Sequence, residues 1–260
     1  MKKAVLMAGI LIGASVAAQS VEPSLRWLGH SAFQFTTRNG KIFLIDPWLT
    51  NPKAPKDATP SHVEAILITH GHSDHVGEGF ELAKKFNAPL IASYELTEIA
   101  KQKGVTHVIP LNPGGSARID DVTITAVMAV HSSSYQDGDK ILYAGAPLGF
   151  IVAEEGAPTF YHAGDTDVTY DMALIPELYG PSIAILPIGG VYTMKPAEAA
   201  LALRSLQART VIPMHYGTFP ALTGTPEQLA IEIKRQGLAT KVVALKPGET
   251  VELKALAASH

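Results

Sequence analysis

The alternation of apolar and polar positions divides the chain into short strands and helices. Leu25-Arg26-Trp27-Leu28, Ala32-Phe33-Gln34-Phe35 and Lys41-Ile42-Phe43-Leu44-Ile45 have the pattern of strands, and Asn39-Gly40 marks a hairpin turn. Asp46-Pro47-Trp48 ends the third strand, since proline cannot donate to a ladder. Residues 50–61 are proline-rich, lack an apolar period and read as a loop. A buried strand is expected from Val63 to Thr69 and a helix from Gly79 to Phe86. The short strand Pro89-Leu90-Ile91-Ala92, a helix from Glu95 to Gln102 and strands over Val105 to Pro110 and Val122 to Val130 follow.

The second half has the same style. Strands are expected at Leu148 to Ala153, Thr159 to Tyr161, Ile183 to Leu186, Val211-Ile212, Lys241 to Leu245 and Thr250 to Leu253. Helices are expected from Pro196 to Gln207, with proline in its first turn, and from Pro226 to Gln236, with Thr225 and Gln228 spaced as a capping box. Each half runs strands first and strand–helix pairs after, without a repeat visible as identity. Meander strands ahead of each α/β part predict two sheets packed face to face with helices outside, rather than one doubly wound sheet.

Composition narrows the class. The 260 residues are 47% hydrophobic and 17% charged, enough for one sizeable core. A net charge of −3 provides no basic footprint for nucleic acid. There are no cysteines, so neither a disulfide nor a thiolate ligand is available. Met1-Lys2-Lys3, an apolar run from Ala4 to Ala18 and the small residues Val16-Ala17-Ala18 have the form of a signal peptide cleaved after Ala18. The apolar run, about 15 residues, is shorter than the ~20 a membrane span needs. The expected arrangement is therefore a signal peptide over 1–18, one domain over 19–260, a periplasmic or secreted location, and no stable membrane anchor.

Chemistry concentrates in His70-Gly71-His72-Ser73-Asp74-His75, directly after Ala65-Ile66-Leu67-Ile68. Core packing does not call for three imidazoles and a carboxylate in one loop, whereas a divalent metal does. Side chains two apart on an extended segment share a face, so His70 and His72 can grip one ion. Asp74 and His75, a short turn later, can reach a second. The remaining ligands should lie at other strand ends, where functional loops of α/β folds gather. His131, Asp165 and His215 each follow an apolar strand. Other polar groups have two readings each. His30 is either a buried, hydrogen-bonded histidine or a substrate contact. Asp46 is either a turn residue or an acceptor that fixes a ligand imidazole. His162, Tyr192 and Tyr216 are candidate contacts in or behind the pocket. His62, His107 and His260 have no such company and read as surface residues.

The pattern His-x-His-x-Asp-His, a distant His, a distant Asp and a final His resembles that of the metallo-β-lactamase-fold hydrolases. Trp27-Leu28-Gly29-His30-Ser31, Leu111-Asn112-Pro113-Gly114-Gly115, Pro187-Ile188-Gly189-Gly190 and Pro213-Met214-His215-Tyr216-Gly217-Thr218-Phe219-Pro220 are similar to the UPF0173/UlaG-like branch, which includes an ascorbate-phosphate lactonase. The resemblance runs from about residue 24 to 253. It implies an α/β four-layer αβ/βα sandwich: two mixed β-sheets with helices on the outer faces. It also implies that His70, His72 and His131 hold a first metal, that Asp74, His75 and His215 hold a second, and that Asp165 bridges them. The chain departs from β-lactamases that use a Cys ligand.

Two divalent ions, zinc before manganese or iron, would share a water and lower its pKa toward ~7. With no G-x-S-x-G elbow, that water is the expected nucleophile, and Asp74 is its expected proton carrier. The expected partner is a small-molecule ester, lactone or phosphoester. The alternatives are a phosphodiesterase or nuclease, a β-lactam hydrolase, or a non-catalytic metal-binding protein on the same scaffold.

Overall fold

A computed structural model describes residues 21–258, so the expected signal peptide lies outside the described residues. Along the chain, strands β1 (Ser24–Trp27), β2 (Phe33–Thr36), β3 (Ile42–Ile45) and β4 (Ala65–Leu67) lead to helices α1 (Ser73–Val76) and α2 (Gly79–Phe86). Strand β5 (Leu90–Ser93), helix α3 (Tyr94–Gln102) and strand β6 (Val108–Leu111) complete the first half. The second half opens with β7 (Ser116–Ile119) and β8 (Val122–Met128), followed by the hairpin β9 (Ser134–Asp137) and β10 (Lys140–Tyr143). Then come β11 (Leu148–Glu154), β12 (Phe160–His162), a 3₁₀ turn (Tyr170–Ala173), α4 (Leu174–Tyr179), β13 (Ile183–Pro187) and α5 (Pro196–Leu206). The chain closes with β14 (Thr210–Met214), α6 (Pro226–Arg235), β15 (Lys241–Val242), β16 (Thr250–Glu252) and α7 (Leu253–Ala257).

The strands form two seven-stranded sheets, in the orders β16-β1-β2-β3-β4-β5-β6 and β15-β14-β13-β12-β11-β8-β7. In the first sheet the pairs from β16 to β3 are antiparallel and those from β3 to β6 are parallel. In the second, the pairs from β7 to β12 are antiparallel and those from β12 to β15 are parallel. The shared order read along the sequence is thus a shared sheet topology.

Why the strands read as unbroken apolar runs is clear from their faces. Phe43 and Ile45, Ala65 and Leu67, and Ile183 and Ile185 point into the core between the sheets. Their neighbours Leu44, Ile66 and Ile68 pack on the helices outside the first sheet, and Ala184 and Leu186 on those outside the second. A strand buried on both faces has no polar side to show. Three apolar layers therefore hold four structural layers together, and helix ends are set locally. Thr225 and Gln228 form the expected capping box at the start of α6.

Strand β7, the β9–β10 hairpin and helices α1, α4 and α7 were not expected. All are short, so periodicity has little to register. The hairpin is held by the metal loop. A Cβ on Gly71 would lie 2.4 Å from Ala144 Cβ and 2.8 Å from Ser134 O, so only glycine fits between His70 and His72.

Among the buried polar atoms of the described residues without a hydrogen bond is one on β12. Tyr161, fully buried behind β12, has a hydroxyl with no hydrogen bond, and burial pushes its pKa up. An unmade buried hydrogen bond costs about 1–3 kcal/mol. Tyr161→Phe should therefore raise stability by about 1 kcal/mol, read as a higher midpoint in urea with an unchanged slope.

Candidate metal centre

The seven ligand candidates converge on one end of the sandwich, between the two sheets. His70, His72, Asp74 and His75 follow β4, His131 follows β8, Asp165 follows β12 and His215 follows β14. Their ligand atoms form three overlapping groups: His70, His72 and His131; His30, Asp74, His75 and His215; and His70, His75 and Asp165. The first group is the set expected for one ion. The second is the set expected for the other, with His30 added.

Asp165 lies at the junction. Its Oδ2 is 3.3 Å from His75 Nε2, 3.1 Å from His215 Nε2 and 3.6 Å from His131 Nε2. His75 Nε2, Asp165 Oδ1 and both ring nitrogens of His215 are buried without a hydrogen bond. Buried polar atoms are normally satisfied, so a cluster of orphaned ligand atoms is the signature of a cation's place. The donor set of imidazole nitrogen and carboxylate oxygen suits zinc, manganese or iron.

Behind these atoms, other side chains fix which nitrogen faces inward. Asp46 is fully buried. Its Oδ1 accepts the Thr69 backbone N–H at 2.8 Å, and its Oδ2 accepts the Thr69 hydroxyl at 2.7 Å. The same oxygen accepts His75 Nδ1–H at 2.7 Å, so the lone pair of Nε2 turns toward Asp165. Thr69 Oγ1 in turn lies 3.0 Å from His70 Nδ1 and, with its own proton given to Asp46, accepts from it. His70 Nε2 is thus left free for a metal, with His72 Nδ1 at 2.9 Å. Of the two readings of Asp46, its place in the structure matches the acceptor. Thr69 carries half of this arrangement, and no motif had marked it.

His30 is buried and bonded at both nitrogens, to Asp74 Oδ2 at 3.0 Å and Thr218 Oγ1 at 2.9 Å. Burial lowers its pKa to about 4 against the pull of Asp74, so it is neutral, donating from Nε2 and accepting at Nδ1. It therefore braces Asp74 and does not reach open solvent. His162 is also fully buried, and burial lowers its pKa. It donates from Nε2 to Ser31 O at 3.1 Å and accepts Gly164 N–H at 3.2 Å. It joins the β1–β2 turn to the turn carrying Asp165, with no path to a substrate. Tyr216 stacks on Trp27, with centroids 5.4 Å apart, and is not among the residues lining the cavity, so of its two readings it takes the place behind the pocket. The cavity, about 420 Å³, is lined by His72, Asp74, His131, Asp165 and His215, and by Ser73, Ser132, Ser134, Gln136 and Tyr192.

Backbone strain gathers here as well. His30, Asp46, Val191 and His215 all have positive φ, at 52°, 47°, 61° and 55°. Such conformations persist only where surrounding contacts over-determine them.

A two-sheet αβ/βα sandwich with a histidine–aspartate centre at its strand ends defines a metallo-hydrolase of the metallo-β-lactamase fold. The family described as "Beta-lactamase superfamily domain" matches residues 41–216. A UPF0173 metal-dependent hydrolase of Myxococcus xanthus is 48% identical, over 92% of this chain and 87% of its own length. One from Solibacter usitatus is 45% identical, over 88% of this chain and 99% of its own. The solved structure of Igni18, a metallo hydrolase from Ignicoccus hospitalis, superposes with a TM-score of 0.78 at 37% identity, covering 89% of this chain and 98% of that one. The chain belongs to the UPF0173 metal-dependent hydrolases of the β-lactamase superfamily.

Two outcomes are expected of the centre. Asp46→Asn replaces an acceptor with a group that can donate toward His75 Nδ1, and should weaken metal binding 10–100-fold in chelator competition. In the metal-free protein, burial pushes the His215 pKa down, but Asp165 and Asp74 outweigh it and raise it to about 9. For His75, burial is outweighed by Asp165 and Asp46, and its pKa is raised as well. Both are protonated at pH 7 without metal, so loading zinc should release protons, and affinity should rise with pH up to about 9. Calorimetry in two buffers of different ionisation enthalpy reads this directly; equal heats would contradict it.

Proposed function

We propose that the protein is a dinuclear hydrolase that cleaves a small ester, lactone or phosphoester outside the cytoplasm, with zinc as its metal. The observation that carries this reading is the single Asp165 oxygen within 3.6 Å of His75, His131 and His215. One carboxylate serves both histidine groups, as a bridging ligand must. Two divalent ions held by these residues would supply an activated water at neutral pH and polarisation of the scissile carbonyl or phosphoryl oxygen.

The chain's own residues do the rest. His70, His72 and His131 hold one side and Asp74, His75 and His215 the other. Asp46 and Thr69 keep the imidazoles in the tautomer that ligates. Burial raises the Asp74 pKa, but the His215 ring 3.7 Å away and the hydrogen bond from His30 outweigh it and hold the carboxylate ionised. Asp74 is a quarter exposed, on the cavity wall. The carboxylate oxygen not held by His30 is available to take a proton from the attacking water and return it to the leaving group. Ser73, Ser132, Ser134, Gln136 and Tyr192 line the space left for substrate. The apolar stretch at 4–18 supports an exported protein.

Zinc-reconstituted protein should contain two metals per chain. It should cleave at least one of a panel of lactones, carboxylic esters, phosphodiesters, phosphomonoesters and β-lactams, and lose that activity to a chelator. Asp74→Asn keeps an oxygen toward the metal and loses the proton carrier, so turnover should fall about 10²–10⁴-fold at equal metal content. Fewer than two metals with no chelator-sensitive turnover would overturn the reading.

A further inference from the structure

Among the described residues, the lining of the cavity contains no lysine or arginine. Apart from the ligand side chains, it consists of three serine hydroxyls, one amide and the Tyr192 ring. Ser132, Ser134 and Gln136 lie on or beside the β9 strand, on the side of the first histidine group. Ser132 Oγ is 3.5 Å from His72 Nε2. Tyr192 comes from a different segment, the loop after β13.

That loop is built in an unfavourable way. Val191 has φ 61°, and its side chain is exposed, so no apolar burial repays the conformation. For a β-branched residue the left-handed region is an outlier, because the branched Cβ crowds the backbone. The turn is nevertheless closed by Tyr192 N–H donating to Gly190 O at 2.7 Å and Gly190 N–H to Met194 O at 3.0 Å. Met194 N–H donates to Thr166 O at 3.3 Å, which ties the turn to the residue after Asp165. The Tyr192 side chain is largely exposed, and its ring stacks on no other ring among the described residues. A strained turn anchored beside Asp165 thus carries a largely exposed aromatic side chain that lines the metal cavity.

We propose that Tyr192 is the substrate-recognition residue of this cavity, held over the metal centre by the strained turn at Val191, and that the substrate part it meets is uncharged. An uncharged ester or lactone would lay an acyl or ring face on the Tyr192 ring and direct its hydroxyl or carbonyl groups to Ser132, Ser134 and Gln136. A fixed negative charge on the non-reacting part of the substrate would find no cation on these walls. The assignment rests on the hydrolase reading above and narrows its substrate class.

The test uses zinc-loaded full-length protein with 4-nitrophenyl acetate as the neutral probe and mono(4-nitrophenyl) adipate, whose free carboxylate lies away from the scissile ester, as the anionic one. Wild type should prefer the neutral ester in kcat/KM. Tyr192→Ala should raise KM for it at least tenfold, with a smaller change in kcat and the same metal content, and Tyr192→Phe should recover most of the loss if the ring face carries the contact. Val191→Gly should raise the melting temperature, because glycine takes positive φ freely, and should raise KM as the loosened turn lets the ring move. Unchanged KM in Tyr192→Ala, or preference for the anionic ester, overturns the assignment. A Val191→Gly protein no more stable than wild type overturns the role given to the turn. Absence of chelator-sensitive cleavage of either probe and of the whole panel overturns the hydrolase reading itself.

Discussion

The buried carboxylate of Asp46 is the constraint on which the centre depends. It lies at the end of β3, directly beside the first residues after β4, and accepts from the backbone and hydroxyl of Thr69 and from the ring of His75. Breaking a buried charged pair by removing one partner costs about 3–5 kcal/mol, against less than about 1 for exposed pairs such as Lys84 with Glu81. The parallel β3–β4 pairing brings the two strand ends side by side, and Asp46 turns that proximity into an orientation of imidazoles. Without it, His70 and His75 would be two histidines near each other with no preferred tautomer.

The two sheets contribute unequally to this centre. The first supplies the loop after β4, with its closely spaced ligands and the acceptors behind them. The second supplies single residues from three separate strand ends, His131, Asp165 and His215. His162, bonded to Ser31 O, and His30, bonded to Thr218 Oγ1, join the two across the interface. The centre therefore exists only when the inter-sheet core is packed. Four positive-φ residues in this small region, His30, Asp46, Val191 and His215, show how much local conformation has been subordinated to placement.

Much of the architecture was legible from the chain. The doubly buried strands, the helices at 79–86 and 196–206 and the capped start of α6 follow from periodicity and capping chemistry, which act over a few residues. The β9–β10 hairpin was not, because its strands are short and Ser134 and Ala144 at its ends meet Gly71 and Ser93, which are remote in sequence. The supporting residues divide the same way. Asp46 was visible as a candidate, whereas Thr69 and Thr218 were hidden, since a lone threonine has no local signal of what it will bond. Tyr216 and Tyr192 were indistinguishable in the sequence, and only packing put one on Trp27 and the other at the cavity.

By itself the sequence determined the kind of chemistry. Imidazole and carboxylate in a loop of six residues, with no thiol in the chain, restrict the centre to nitrogen and oxygen ligands whatever the fold around them. The tertiary structure decided which atoms meet: that Asp165 stands between two histidine groups, that Asp46 and Thr69 set the tautomers, and that Tyr192 lines the opening. Ligand identity is a property of single side chains. Ligand geometry depends on strand ends brought together from positions as far apart as Asp74 and His215, and only the packed sandwich brings those within 3.7 Å.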